Sequence, residues 1–286
     1  MKLSILILGA LIMDKVCVVL CEGQHDIAFI SRVLKAHGFD GYDSKIRDFI
    51  PPFNNLFAAL LNEKQVSDRR LGFSPEYKVP SVSLCKNNET LVFFHNMGGD
   101  DKQPQREEVV EMYKDLKGED DFTQYEFDLR FLFFFDADEM GVEQRISNIN
   151  QELGFTDIVK FGQVSSHQNH EWGSFIFHGD ELKGDLEDLL LELISQKEAA
   201  LLTNSKVFID SNKLPDERQK EYICTPQRQA YKTKCKFKQK KSLLSIAGQL
   251  QFSGMSNAVF IANTDYLSYD ILVSNAHCTA LNNLFV

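Results

Sequence analysis

The chain has 286 residues, a formal charge of −10, 43% hydrophobic residues and 25% charged residues. That balance excludes a mainly disordered chain, a fibrous repeat and a polytopic membrane protein. The length allows one large domain or two small ones, and the net acidity argues against a uniformly basic nucleic-acid coat. Twenty-three Phe against one Trp mark a core built on phenylalanine.

The six cysteines (Cys17, Cys21, Cys85, Cys224, Cys235 and Cys278) form no CxxC pair, so reduced thiols and a cytoplasmic setting are expected. Residues 3–12 (LSILILGALI) are apolar but too short to span a bilayer, and no clear cleavage site follows. Residues 1–13 are therefore expected to be a mis-assigned start or an N-terminal extension rather than a signal sequence, with no membrane association.

Residues 16–20 (VCVVL) are a continuous β-branched run, as in a strand buried on both faces. They end in CEGQHD, and residues 27–37 follow with apolar positions at helical spacing and Gly38 as a stop. Past a break at Pro51-Pro52, residues 53–61 predict a short helix, and residues 81–84 and 91–95 predict a hairpin. Residues 109–116 predict a helix. Residues 129–135 (LRFLFFF) are the strongest strand signal; they end in DADEMG and lead into a helix over 142–153. Strands alternating with helices define an α/β fold with a parallel sheet. Beyond residue 155 the pattern predicts short strands at 158–164 and 174–178 flanking a polar loop, then an amphipathic helix over 186–194 and a polar stretch over 203–222, looped or helical.

In open α/β sheets, functional groups gather at the carboxyl ends of the strands. Two strands here end in acid: Glu22 after the first, Asp136 and Asp138 after the central one. As neighbours they would bring three carboxylates to one edge, which is costly without a cation among them. Mg²⁺ or Mn²⁺ suits such hard oxygen ligands. The same acids, standing before helices, also suit helix caps, and Asp26 is expected in that role.

The pair CEGxxD (Cys21 to Asp26) and DAD (Asp136 to Asp138) resembles the Toprim domain, shared by topoisomerases, bacterial primases, the 5S-rRNA maturase and overcoming-lysogenization-defect nucleases. The likeness covers about residues 14–160, with an insertion at about 40–80, and implies a Toprim-like Rossmannoid parallel sheet flanked by helices. Residues 161–286 would then form an elaborated α+β C-terminal part. The resemblance implies Glu22 as a metal ligand or general acid/base, Asp136 and Asp138 as metal-binding aspartates, Gly23 as the turn glycine and Asp26 as the acid opening the first helix. Glu139 and Gly141 extend the second motif only loosely. There is no room for strand-passage domains, and the cysteines lack the spacing of a primase zinc module. What remains is similar to small standalone Toprim proteins and nucleases, for which a partner ATPase or a homo-oligomer is compatible.

Charge is segregated along the chain. Residues 228–241 hold seven basic residues and no acid, whereas residues 100–143 hold fifteen acidic against five basic ones. Arg228, Lys232, Lys234, Lys236, Lys238 and Lys240, interleaved with Tyr231 and Phe237, suit a nucleic-acid backbone. On one strand, the lysines from 232 to 240 would share a face; an edge-strand lysine ladder also serves to prevent aggregation. Lys241 is the candidate for stabilising charge near the metals, and Glu187 for a further carboxylate at a second metal. His25 beside Glu22 is a candidate phosphate contact, while His167 and His170 are expected to be solvated.

The expected function is metal-dependent phosphodiester chemistry on nucleic acid, as a nuclease. The alternatives are a non-catalytic nucleic-acid or nucleotide binding module and a small-molecule phosphoryl-transfer enzyme. A haloacid-dehalogenase-like phosphatase would carry its D-x-D on the first strand, and a receiver domain would be much shorter and lack EGxxD.

Overall fold

The computed structural model describes residues 13–42, 45–62, 77–99, 102–117, 127–235 and 237–286. The apolar run at 3–12 and Lys236 lie outside them, as does part of the insertion at 40–80. In chain order the first half runs β1 (Lys15–Cys21), α1 (Gln24–Ala36), β2 (Asp40–Gly41), α2 (Phe53–Asn62), β3 (Val82–Lys86), β4 (Thr90–Asn96), α3 (Gln103–Lys114), β5 (Asp128–Asp136) and α4 (Val142–Glu152). The second half runs β6 (Val164–His167), β7 (His170–Phe177), α5 (Leu186–Asn212), β8 (Lys220–Thr225), β9 (Arg228–Cys235), α6 (Gln239–Gln249), α7 (Asn257–Asn263), α8 (Tyr269–Ser274) and α9 (Ala276–Asn283).

Seven strands form one sheet in the order β2-β3-β4-β1-β5-β7-β6, and β8 and β9 form a separate hairpin. The central strands β4, β1, β5 and β7 are parallel, while β3 and β6 join them antiparallel. β1 is buried on both sides because helices cover both faces. Cys17, Val19, Leu132, Phe134 and Phe175 pack under α1, α5 and the C-terminal helices. Val18, Leu20, Phe131, Phe133 and Phe135 pack under α2, α3 and α4. Phe131, Phe133 and Phe135 thus face one layer and Leu132 and Phe134 the other, which is how a continuous apolar run is absorbed.

Both hairpins of the sheet turn on two residues with positive φ, Asn87-Asn88 and Gln168-Asn169. Such turns match the twist of the strands they join, and Asn tolerates this backbone. The second corrects the expected polar loop: SHQNHEW is a tight turn, with His167 and His170 paired across it, and the flanking strand starts at Val164 rather than 158. His167 lies edge-on to Phe155, and His170 to Phe131.

The sheet continues past residue 160, since β7 sits beside β5 and β6 closes the edge. The division expected at 160 thus falls inside one sheet, and both core layers draw on residues from either side of it. Arg130 ties the two halves further, donating to the carbonyls of Leu284 and Val286, and Phe285 packs on Phe134 and Phe39. The helix expected over 186–194 extends to Asn212, with a bend at Glu198. Adjacent residues of α6 reach both ends of it, Gln239 to Asp210 and Lys240 to Asp185, so the bend returns the helix toward its start.

Candidate active site

β1 and β5 lie side by side in parallel, with Cys21 opposite Phe134, so both strands deliver their last residues to the same edge. There the backbone N–H of Asp136 donates to Glu22 at 3.4 Å. Asp136 accepts at 2.8 Å from the N–H of Leu186, the first residue of α5, where an unpaired helix donor favours a carboxylate. The next residue, Glu187, is 2% exposed; its Oε1 lies 3.4 Å from His25 Nδ1 and 3.6 Å from Lys241 Nζ. Its Oε2 is buried with no hydrogen-bond partner among the described residues. Asp26, three residues into α1, accepts from the N–H of the N-cap Gly23 at 2.8 Å, the half of a capping box that a glycine N-cap allows, and so fixes the turn that carries Glu22.

The start of α5 is positioned by Asp138, but through its backbone. The Asp138 N–H donates to the carbonyl of Gly184 at 2.6 Å, and the Asp138 carbonyl accepts from the Gly184 N–H at 2.9 Å. Gly184 has φ +109°, and a Cβ there would fall 2.1 Å from Asp188 Oδ2, so glycine is required. Asp185 then opens the helix with a capping box closed by Asp188.

Charge dominates the chemistry of this edge. Burial first, then the neighbouring Asp26 and Glu22, push the Asp136 carboxyl up to about 9, against the opposing bond from Leu186. Burial likewise raises Asp26 to about 6, opposed by the Gly23 N–H. Burial also acts to raise Glu187, yet His25 and Lys241 hold it below the ordinary glutamate value. Lys241 is the converse case: burial opposes its charge, but Glu187, Asp136, Asp185 and Asp26 together keep it above the ordinary lysine value. The site is short of positive charge.

Of the expected residues, the structure brings together Glu22, Asp136 and Lys241 with Glu187, the further carboxylate, His25, the candidate phosphate contact, and Asp26, the cap. It separates Asp138. At φ +47° its side chain leaves the strand on the side of α4, pairs with Arg145 at 2.9 Å and is 55% exposed. The D-x-D therefore does not aim both carboxylates at one point, because the left-handed turn sends the second to an arginine. Among the described residues no three His, Cys, Asp or Glu side chains stand ready around a single ion, so the expected trio of Glu22, Asp136 and Asp138 is not assembled as it stands. Asp185 and Asp188 were not anticipated as partners of Lys240; the acids opening the GDLEDLL helix were the available signal.

The lysine ladder is also corrected. β9 stops at Cys235, Lys238 caps α6, and Lys240 and Lys241 belong to that helix, so Lys232 and Lys240 share no face. Lys240 is paired with Asp185 and Asp188, and Lys232 with Glu221. Arg228 and Lys234 are exposed on the hairpin. All six cysteines are free, and among the described residues no helix is long and apolar enough to cross a membrane.

Fold and site together define an α/β protein with an acidic cluster at the carboxyl edge of a mostly parallel sheet. The chain belongs to DUF3226, a protein family of unknown function, whose profile matches residues 17–285. Its fold is similar to the crystal structure of hypothetical protein PH0156 from Pyrococcus horikoshii OT3, with a TM-score of 0.53 and 12% identity over 94% of this chain and 99% of that one. No curated protein matches the sequence.

Proposed function

We propose that this protein hydrolyses phosphodiester bonds in nucleic acid at the carboxylate edge of its sheet, in the manner of a Toprim-like nuclease dependent on Mg²⁺ or Mn²⁺. The observation that carries the reading is the convergence of Glu22, Asp136 and Glu187 with Lys241 from four separate elements. The donor set has the chemistry of a divalent-cation site, although its side chains are not gathered around a single point. It consists of hard carboxylate oxygens; one of them, Oε2 of Glu187, is buried without a hydrogen-bond partner among the described residues, and burial, with Asp26 and Glu22 beside it, pushes the Asp136 carboxyl up to about 9.

Glu22, Asp136 and Glu187 would hold the cation, and Asp138 is not part of that group. A bound divalent cation would supply Lewis acidity toward the phosphate and a more acidic water. Lys241 lies where it can balance negative charge growing on a phosphoryl oxygen. Glu22, with Asp26 bracing its turn, is placed to take or return a proton.

The test is cleavage of labelled DNA and RNA, single- and double-stranded, with Mg²⁺ or Mn²⁺. Cleavage is expected to fall at least a hundredfold in Asp136→Asn and in Glu187→Gln, with little change in Asp138→Asn. If no substrate is cut, or Asp136→Asn cuts at the full rate, the reading is wrong. Binding without cutting would return the protein to the non-catalytic alternative.

A further inference from the structure

We infer that the β8–β9 hairpin is an arm that grips a single strand of nucleic acid by stacking its bases on Tyr222 and Tyr231; the inference rests on the phosphodiester reading above and names its substrate class. The hairpin is exposed or half-exposed along its whole length on both faces. A two-stranded ribbon is marginal in water by itself, so such an arm is built to meet something.

One face carries Tyr222 directly opposite Tyr231, with ring centroids 5.0 Å apart. The rings are 48% and 44% exposed, leaving wide aromatic surface in water. The alternate positions of β9 place Arg228, Lys232 and Lys234 on the other face. Between residues 220 and 235 there are four basic residues and one acid, Glu221, in a chain whose overall charge is −10. That local excess is complementary to a polyanion, and the half-exposed pair of rings is complementary to unpaired bases. A duplex hides its base faces, so the combination selects a single strand. Lysines on a ribbon this narrow reach around its edge to the phosphates.

The arm is also joined to the acidic edge. Cys235 is followed within a few residues by Lys240 and Lys241, which contact the start of α5. Between the base of the hairpin, α5 and α6 lies a groove of about 610 Å³, lined by Phe208, Leu214, Arg218, Phe237 and Ser242. Ser242 follows Lys241 in α6, so the groove beside the hairpin and the carboxylate edge lie along the same helix.

The experiment measures binding of labelled oligothymidine and of a duplex of equal length to the full chain in EDTA. The single strand is expected to bind at least tenfold more tightly. The Tyr222→Ala/Tyr231→Ala pair should weaken it by about tenfold or more at unchanged melting temperature, and the Tyr222→Phe/Tyr231→Phe pair should bind as the wild type does. In the unaltered protein, a strand carrying 5-iodouracil should cross-link within residues 220–235, which needs no variant to fold. Equal affinity for the duplex, an unaffected alanine pair or an adduct mapped elsewhere would overturn the inference. No binding at all would do the same and make the hairpin a protein-docking arm. Tyrosine-dependent binding without metal-dependent cleavage sinks the catalytic reading alone, whereas cleavage with tyrosine-independent binding sinks only this one.

Discussion

His95 shows how completely one side chain can be committed by its surroundings. It is buried at the end of β4, where Nδ1 donates to the carbonyl of Tyr77 at 2.7 Å and Nε2 accepts from the Tyr113 hydroxyl at 2.9 Å. A carbonyl only accepts, so Nδ1 carries the proton and the ring is neutral. Burial lowers its pKa from 6.5 to about 4. The unfolded chain therefore takes up a proton that the folded one refuses, and stability present above pH 6.5 is lost as pH falls toward 4, at up to about 1.4 kcal/mol per pH unit. Denaturant titrations across that window should show the slope, and His95→Gln should reduce it. Glu187 carries a second expectation. If its unpartnered oxygen faces the cation site, Mn²⁺ should raise the melting temperature of the wild type and leave Glu187→Gln nearly unmoved, as thermal unfolding can show.

Among the elements, α1 ties the sheet to the C-terminal helices. Its Arg32 donates to the carbonyls of Leu267, Thr264 and Ala262, satisfying the ends of the C-terminal helical segments. Arg32→Met, which keeps much of the stem but no donor, should destabilise the protein by about 3 kcal/mol, readable from urea unfolding. Elements of this kind were legible where the pattern was extreme. The 16–20 and 129–135 runs announced buried strands, and Gly38 marked where α1 stops. The bend of α5 at Glu198 was not legible, because the helix-forming stretch around it carries no Gly or Pro. Nor was the Gln168-Asn169 turn, which lacks the glycine that usually signals one. At the site, Glu22 and Asp136 followed from strand ends, and Asp26 was legible as a cap. The diversion of Asp138 depended on Arg145 reaching back from α4, which spacing alone does not reveal.

The seven-stranded sheet and the helices on it are one structural unit among the described residues, since the face of the sheet under α1 is covered by residues from the distant half of the chain. Cutting after residue 160 should therefore give two insoluble pieces rather than a folded domain and a tail, as solubility and circular dichroism would show. The reason lies in β7. It is paired to β5 along most of its length, so removing it bares both an edge of backbone donors and the phenylalanines beneath. Its position carries a lesson for exchange between genes. A recombination that transplanted only the stretch carrying Glu22 and Asp136 would leave Glu187 and Lys241 behind. The recipient would inherit half an acidic edge on a greasy, open sheet, so the unit that can be moved with its chemistry intact spans the matched family region.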